Sequence, residues 1–363
     1  MAAAPEPTPR PEPAEAVDAT RYARQIRFPA LGEAGQARLA ASRVAIVGCG
    51  ALGGVSAMAL ARAGVGFLRL IDRDLPELSN LPRQVLLDEA DLAAGLPKAV
   101  AAAGHLQRIN GALRVEPVVR DLTADCCREL LADVDLVVDG TDNFETRFLI
   151  NDLACDVGIP WIYGGAIGGE GRVLTILPGH TACLRCLIPE PPRAGELPTC
   201  ETAGILGPAA MVVAAVQAAE AIKLLSAAGS AERLNRAEGR LLVVDLWEGR
   251  WHSLDLSPLA RRGCPTCRGG ERPWLNGGET TAARPLCGRD AVQIAPRRPM
   301  QVDLEAVAAG LAAAAGVVVN PWMVRAEVEP GVTVSVFADG RAIVAGTREE
   351  SRARAVLARY VGT

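Results

Sequence analysis

A doubly wound α/β fold with a mostly parallel sheet is what the 363-residue sequence predicts. Three observations carry that expectation. Strand and helix signals alternate from Val44 to Gly165, a glycine turn joins the first strand to the first long helix, and a carboxylate ends the second strand. In chain order, residues 1–19 are rich in Ala, Pro and Glu and too poor in large apolar groups to fold, which predicts a disordered tail. Arg21 to Ser42 has helical spacing (Tyr22, Ile26, Leu31, Leu39) interrupted by Pro29 and Gly32. The alternation then runs strand 44–47, helix 51–63, strand 67–72, loop 73–97, helix 98–109, strand 114–119, helix 124–132, strand 135–139, helix 144–157 and strand 161–165. Past Gly171 the sheet is expected to be extended by longer, antiparallel strands, Arg172 to Leu177 and Leu241 to Leu256, around a helix at 208–226. Residues 268–285, rich in Gly, Pro, Arg and Thr, read as a linker. Residues 286–363 read as a small C-terminal α/β module: a strand near 291–295, a helix 303–314, three short strands within 316–346 and a helix 349–360. The main domain is expected over 20–267.

Composition narrows the function classes. Half of the residues are apolar and 22% are charged, as in a globular protein, and a net charge of −4 gives no electrostatic reason to expect nucleic acid as the partner. The apolar stretch Ile205 to Leu225 carries Gln217, Glu220 and Lys223, which predicts a buried helix with a polar stripe and no membrane span. The start of the chain lacks a charged segment followed by an apolar core, so a cytoplasmic protein is expected, with its ten cysteines as thiols or metal ligands before disulfides. Only two lysines, Lys98 and Lys223, stand against 36 arginines, so each raises the question of whether a compact ammonium is needed there.

The glycine turn Gly48-x-Gly50-x-x-Gly53 follows the apolar run Val44 to Val47 and opens a helix of small residues. Backbone N–H groups at such a helix start can approach a phosphate, which makes the sheet Rossmann-like. Asp72 ends the next strand, about 20 residues on, where a carboxylate accepts hydrogen bonds from ribose hydroxyls. Arg83 offers a fork for phosphate oxygens, and Lys98, after Pro97 at a helix start, offers a point charge. Beyond another strand end, Val137-Val138-Asp139-Gly140-Thr141-Asp142-Asn143 places acids where one can hold magnesium against a triphosphate. No G-x-x-x-x-G-K-[ST] sequence is present, so this is not a P-loop protein.

Two C-x-x-C knuckles, Cys183-Leu-Arg-Cys186 and Cys264-Pro-Thr-Cys267, predict a structural four-sulfur zinc site that staples a mid-chain loop to the end of the main domain. Cys49, Cys126, Cys127 and Cys155 read as packed thiols. Cys200 differs, because Pro198-Thr199-Cys200-Glu201-Thr202 has the polarity of an exposed loop where a thiol could act as a nucleophile.

From about Arg21 to Cys267, the chain resembles the ubiquitin-activating-enzyme-like (ThiF/MoeB/HesA) family of adenylyltransferases, which activate small β-grasp sulfur carriers for thiamin or molybdopterin synthesis. The resemblance rests on Arg21-Tyr22-x-Arg24-Gln25, the glycine turn, Ser79-Asn80-Leu81-x-Arg83-Gln84, Gly95-x-Pro97-Lys98, Thr141-Asp142-Asn143 and both knuckles. It implies a homodimer in which each site binds Mg-ATP, with Arg24 reaching in from the other subunit. Asp72 would hold the ribose, and Asn80, Arg83 and Lys98 the phosphates, with Ser79 and Asn143 beside them and Asp142 on magnesium. The carrier's C-terminal Gly-Gly carboxylate would attack the α-phosphate, giving an acyl-adenylate and pyrophosphate. A carboxylate needs no general base, which suits a chain whose three histidines, His105, His180 and His252, are scattered. In the thiamin branch a cysteine before a similar segment is implicated in sulfur transfer, which gives Cys200 that role and implies a sulfur donor such as a cysteine desulfurase. Pro82 departs from the glutamine usual at its place, stiffening the phosphate loop and removing a donor. Cys287, in Leu286-Cys287-Gly288-Arg289-Asp290, is a second candidate for sulfur relay.

Three other readings stand beside this one. An NAD-dependent oxidoreductase would share Gly48, Gly50, Gly53 and Asp72 but would leave Arg83, Lys98, Asp142 and the knuckles without a use. A catalytically silent partner would not be expected to keep Arg24, Asp72, Arg83, Lys98 and Asp142. A relative that adenylates modified tRNA, as in threonylcarbamoyladenosine dehydration, would be expected to show basic clusters.

Overall fold

The computed structural model describes residues 18–191, 203–237, 239–260, 263–276, 283–285, 290–295, 301–311 and 314–361. The first 17 of the 19 residues of the expected tail, together with Cys200 and Cys287, therefore lie outside the described residues. The chain divides into two compact units, one of residues 1–89 and 98–278, the other of residues 90–97 and 279–363.

In the first unit the short helices α1 (Ala23–Ile26) and α2 (Gly32–Ala41) lead into β1 (Arg43–Val47), α3 (Ala51–Ala63) and β2 (Phe67–Ile71). A helical turn at Leu78–Asn80 and helix α4 (Glu89–Ala93) occupy the expected loop; α4 runs mostly into the second unit. Then follow α5 (Lys98–Ile109), β3 (Arg114–Val118), α6 (Cys127–Leu131), β4 (Leu136–Asp139), α7 (Phe144–Val157), β5 (Trp161–Ile167), β6 (Glu170–Ile176), α8 (Leu184–Leu187), α9 (Gly207–Leu225), α10 (Ser230–Arg236), β7 (Arg240–Asp245), β8 (Arg250–Asp255) and α11 (Ser257–Ala260). The eight strands form one sheet in the order β3-β2-β1-β4-β5-β6-β7-β8. The first five are parallel and β5 to β8 alternate in direction, as the sequence predicts. Every residue of β1, β2 and β4 is buried, the burial expected of parallel strands covered on both faces. One apolar cluster, including Leu60, Leu106, Val213 and Ala218, fills one side of this sheet, and a second, including Phe148, Leu153, Trp161 and Trp274, fills the other. Helix α9 is long and apolar enough to cross a membrane by length and composition alone, yet half of its apolar window is buried, and Gln217 on it is fully buried. That matches the buried helix read from the sequence.

Two expectations about this unit need correction. The stretch 241–256 is a hairpin of two strands rather than one long one: Gly249 has φ +67° and Asp245 Oδ1 accepts the Glu248 N–H at 3.0 Å, closing a turn. The stretch read as a linker begins inside the first unit, where Trp274 is buried with its ring centroid 4.3 Å from that of Phe148.

The second unit is a six-stranded antiparallel sheet, β11-β12-β13-β14-β10-β9, made of β9 (Ala283–Pro285), β10 (Ala291–Ile294), β11 (Ala315–Asn320), β12 (Met323–Glu329), β13 (Val332–Phe337) and β14 (Ala342–Ala345). Helices α12 (Leu304–Gly310) and α13 (Glu350–Tyr360) cover the face that carries Ala326, Val334, Val344 and Val292 in one cross-strand row. Four strands, not three, lie within 315–345. Turns of only two residues, Pro321–Trp322 and Pro330–Gly331, separate the first three; Gly331 has φ +75°.

A candidate nucleotide site and a four-cysteine cluster

Strand order reverses between β1 and β4, and ligands of open α/β sheets bind at the carboxyl ends of the strands at that switch point. Glycines pack the crevice. Gly48 leaves β1 with φ +86°, and a Cβ on it would stand 2.7 Å from the Gly140 oxygen beyond β4. A Cβ on Gly53 would stand 1.7 Å from the Gly48 oxygen, and one on Gly140 would stand 2.4 Å from the same atom. These three glycines let the two strand ends touch. Gly50 is different: its Cβ would find only the Gln84 amide, at 3.6 Å, so the space above the α3 N-terminus is open for a ligand to approach the backbone. Gln84 itself is 5% exposed and its Oε1 has no hydrogen-bond partner among the described residues. A buried, unpartnered polar atom beside an open glycine turn fits a polar ligand.

Asp72 stands where the sequence places the ribose carboxylate. Its Oδ2 accepts the Cys49 N–H and its Oδ1 the Asp74 N–H, both at 2.7 Å. Burial pushes its pKa above the ordinary carboxylate value, and the nearby Lys98 charge opposes that shift. Lys98, the first residue of α5, is 4% exposed; its Nζ donates to Asp74 Oδ2 at 3.1 Å and its N–H to the Asp74 oxygen at 2.9 Å. Arg73 pairs with Asp121 at 2.6 Å, and although burial alone would lower its pKa, Asp121 and Asp74 hold it above the usual arginine value. Cys49 is buried, the packed thiol read from the sequence, and its pKa is pushed well up, first by burial and then by Asp72.

The loop after β4 has a buried frame and an exposed tip. Asp139 is fully buried, and its Oδ1 accepts the Thr141 N–H at 2.9 Å and the hydroxyl at 2.7 Å. Its Oδ2 accepts from Arg147 Nε at 3.2 Å, and Arg147 Nη2 also donates to the Thr141 and Gly164 oxygens at 2.6 and 3.0 Å. Burial raises the Asp139 pKa against the opposing Arg147 charge. Asp142 at the tip is exposed and makes no hydrogen bond among the described residues, so its carboxylate is available to a metal. Asn143 serves its own helix, its Oδ1 capping α7 by accepting the Thr146 N–H at 2.9 Å.

The other sequence-identified residues are more dispersed. Asn80 Oδ1 accepts the Glu77 N–H at 3.1 Å, closing the turn that presents Arg83, whose Nη1 donates to the Ser79 oxygen at 2.8 Å. The Pro82 carbonyl lies against the start of α9, 3.0 Å from where a Cβ on Gly207 would stand. Arg24 is exposed on α1. Sequence reasoning does not single out Gly140, Gln84, Asp74, Arg73, Asp121 or Arg147 as site residues. For Gln84 a signal exists, since it ends the Ser79–Gln84 motif; for Arg147 and Asp121 the partnerships are long-range and leave no mark in local sequence.

The second sequence-predicted constellation comes together. Sulfur atoms of Cys183, Cys186, Cys264 and Cys267 all lie within 4.8 Å of one another, with Cys183–Cys186 at 3.8 Å, Cys183–Cys264 at 3.7 Å and Cys186–Cys267 at 3.6 Å. A tetrahedral ion with metal–sulfur bonds of about 2.3 Å requires sulfur–sulfur edges of about 3.8 Å, so the four residues fit zinc. Helix α7 holds both halves. Asn151 Oδ1 accepts the Leu184 N–H at 2.9 Å, and Asp152 Oδ2 accepts the Trp274 N–H at 3.0 Å.

A glycine-locked crevice at a sheet switch point, with a ribose-type carboxylate, a buried lysine and an exposed acid around it, defines a nucleotide-binding α/β enzyme. Comparison with known proteins is more specific. The ThiF family profile matches residues 22–266, and the chain belongs to the ThiF family. It is an enzyme of the adenylyltransferase class. It is 39% identical over 343 residues to the sulfur carrier protein ThiS adenylyltransferase of Bacillus subtilis, covering 94% of this chain and 99% of that protein. It is 38% identical over 271 residues to adenylyltransferase and sulfurtransferase MOCS3 of Sus scrofa, covering 75% of this chain and 57% of that protein. Among solved structures, the fold is similar to that of E. coli MccB with ATP, with a TM-score of 0.57 and 24% identity over 68% of this chain and 74% of that one.

Proposed function

We propose that this enzyme adenylates the C-terminal Gly-Gly carboxylate of a ubiquitin-like sulfur carrier of the thiamin type and releases pyrophosphate. The observation that carries the choice of carrier is coverage. The likeness to the ThiS adenylyltransferase runs through 99% of that protein and 94% of this chain, so it includes the C-terminal module, whereas the likeness to MOCS3 covers 57% of the relative. A molybdopterin-type carrier is the second reading, supported by the 38% identity to MOCS3 over 271 residues.

In this reading the carrier carboxylate forms a bond to the α-phosphorus while the bond to pyrophosphate breaks. No proton has to move, because the nucleophile is already ionised, so the site contributes placement and charge neutralisation. Asp72, fixed by two backbone N–H groups, accepts from the ribose hydroxyls; the α3 N-terminus at Gly50 and the Gln84 amide face the phosphates; Lys98 and Arg83 supply positive charge. Asp142 would hold magnesium, which supplies further neutralisation of the phosphates. Ser79, Asn80 and Asn143 support this apparatus as the turn and the helix cap that present it. Arg24 would act across a homodimer. Zinc in the four-cysteine cluster would be structural, with no open coordination position. The Cys200 thiolate would attack the carbonyl of the carrier adenylate, forming a thioester and releasing AMP, ahead of sulfur delivered by a donor such as a cysteine desulfurase, and the enzyme would work in the cytoplasm.

The test is the product. Incubation with Mg-ATP and a thiamin-type carrier ending in Gly-Gly should give a carrier heavier by one adenylyl group in intact mass, and a carrier trimmed of its terminal glycine should stay unchanged. An unmodified carrier with zinc-loaded, ATP-binding enzyme would reject the assignment.

A further inference from the structure

The second unit includes a piece of chain from far outside the C-terminal region, Ala90–Pro97, grouped with Glu279–Thr363. Pro97 is bonded directly to Lys98, the first residue of α5. Within this unit the Gly95 oxygen accepts a hydrogen bond from Asn320 Nδ2 at 3.1 Å. Asn320 ends β11, and its Oδ1 accepts the N–H groups of Trp322 and Met323, both at 3.0 Å. The amide is therefore locked by the β11–β12 turn and has one aimed donor to offer.

Gly95 is seated tightly. Its φ is +62°, and a Cβ on it would stand 3.1 Å from Val318 Cγ1, so the turn sits against β11 in a conformation that glycine alone adopts without strain. Two further bonds close the turn, Gly95 N–H to the Leu92 oxygen and Leu96 N–H to the Asp91 oxygen, both at 3.1 Å. Only Leu96 and Pro97 separate the gripped carbonyl from Lys98, and proline fixes one of the few torsions left. Past them, Lys98 is bound to Asp74 through both its N–H and its Nζ, and Asp74 in turn binds Asp72.

We propose that the C-terminal module positions the phosphate-binding lysine, with Asn320 as the positioning residue that holds the Gly95–Pro97 turn from which Lys98 starts. This rests on the reading of Lys98 as a phosphate ligand. It gives the module a role within adenylation, and it makes the coupling reciprocal: a nucleotide that engages Lys98 stiffens the β11–β12 hairpin.

Two measurements on the full-length, zinc-loaded enzyme test it. Asn320→Asp keeps an acceptor for the two turn N–H groups but offers no donor to Gly95. It should weaken Mg-ATP binding about three- to tenfold by calorimetry, the value of one hydrogen bond, while kcat at saturating ATP with a thiamin-type carrier and the melting temperature stay near wild type. Asn320→Ala should weaken binding to the same degree. Wild-type affinity in Asn320→Asp, or a loss of affinity accompanied by a matching fall in melting temperature, would overturn the proposal. Independently of any variant's folding, saturating Mg-ATP should slow amide exchange in wild-type peptides spanning Met323–Glu329, and no change there would also overturn it. Lys98→Ala measured alongside separates the two layers. If Lys98→Ala binds ATP normally, the phosphate reading fails; if it does not, and Asn320→Asp does, only the module's role fails.

Discussion

The nucleotide crevice and the cysteine cluster are both assembled from distant parts of the chain, yet one is left open and the other closed. In the crevice, glycines remove side chains, Gln84 Oε1 has no partner, and Asp142 is exposed with no hydrogen bond among the described residues. In the cluster, four sulfurs already stand at the separations of a filled tetrahedron. Open polar capacity marks where a substrate comes and goes; saturated geometry marks a fixed part. Helix α7 joins the two. Its N-terminal turns carry Arg147 and follow Asn143, which together frame the Asp142 loop, and its later turns carry Asn151 and Asp152, which hold the cysteine-bearing segments. A sharp contrast between the effects of perturbing the two regions is therefore expected.

The largest effect belongs to the crevice. Lys98→Ala and Asp142→Ala should each cut carrier-dependent adenylation by about 10²–10³-fold or more with the fold intact, since on the proposed reading each removes a group that would neutralise, directly or through magnesium, charge on the reacting phosphates. Turnover near wild type in either variant would break the contrast at its stronger end. The cluster should show the reverse. Cys264→Ser, or exhaustive chelation, is expected to release zinc and lower the melting temperature by about 10 °C or more, with ATP affinity of the molecules still folded little changed. Loss of activity without loss of stability on metal removal would mean that the metal takes part in the chemistry.

A smaller effect sharpens the role of α7. Burial raises the Asp152 pKa from 3.8 to about 6, so the folded protein keeps a proton that the unfolded chain gives up. Stability from this group is complete below pH 3.8 and is lost as pH rises through about 6. Replacement by Asn should remove about 1–3 kcal/mol of that pH dependence, read as the difference between the wild-type and Asp152→Asn stability curves. Parallel curves would show that Asp152 titrates alike in the folded and the unfolded protein. The smallest effect is expected at Cys200, where Ala should leave adenylation within about twofold of wild type and block only sulfur delivery, because the nucleophile for adenylation is the carrier's own carboxylate.

The two regions also differ in how far they could be read from sequence. The glycine turn, the strand-ending Asp72 and the paired knuckles were legible because each is a local pattern whose spacing carries its geometry. The parallel order of the first five strands followed from simple alternation. The buried frame was not legible: Arg147 reaches Thr141 and Gly164, Arg73 reaches Asp121, and Asn320 reaches Gly95, partners that only the folded chain brings together. Asn80 and Asn143, which the resemblance puts among and beside the phosphate ligands, also close a turn and cap a helix through their side-chain oxygens, roles set by the backbone beside them. The extra strand in the C-terminal module was hidden because the turns that part its first three strands are only two residues long, too short to stand out from the strands they join.

ATP–pyrophosphate exchange by the purified enzyme, run without carrier and then with thiamin-type and molybdopterin-type carriers ending in Gly-Gly, tests the central claim most directly. The expected result is exchange that requires the thiamin-type carrier and disappears when its terminal glycine is removed. Absence of exchange with either carrier, in protein that holds zinc and binds ATP, would contradict the claim that this crevice adenylates a carrier carboxylate.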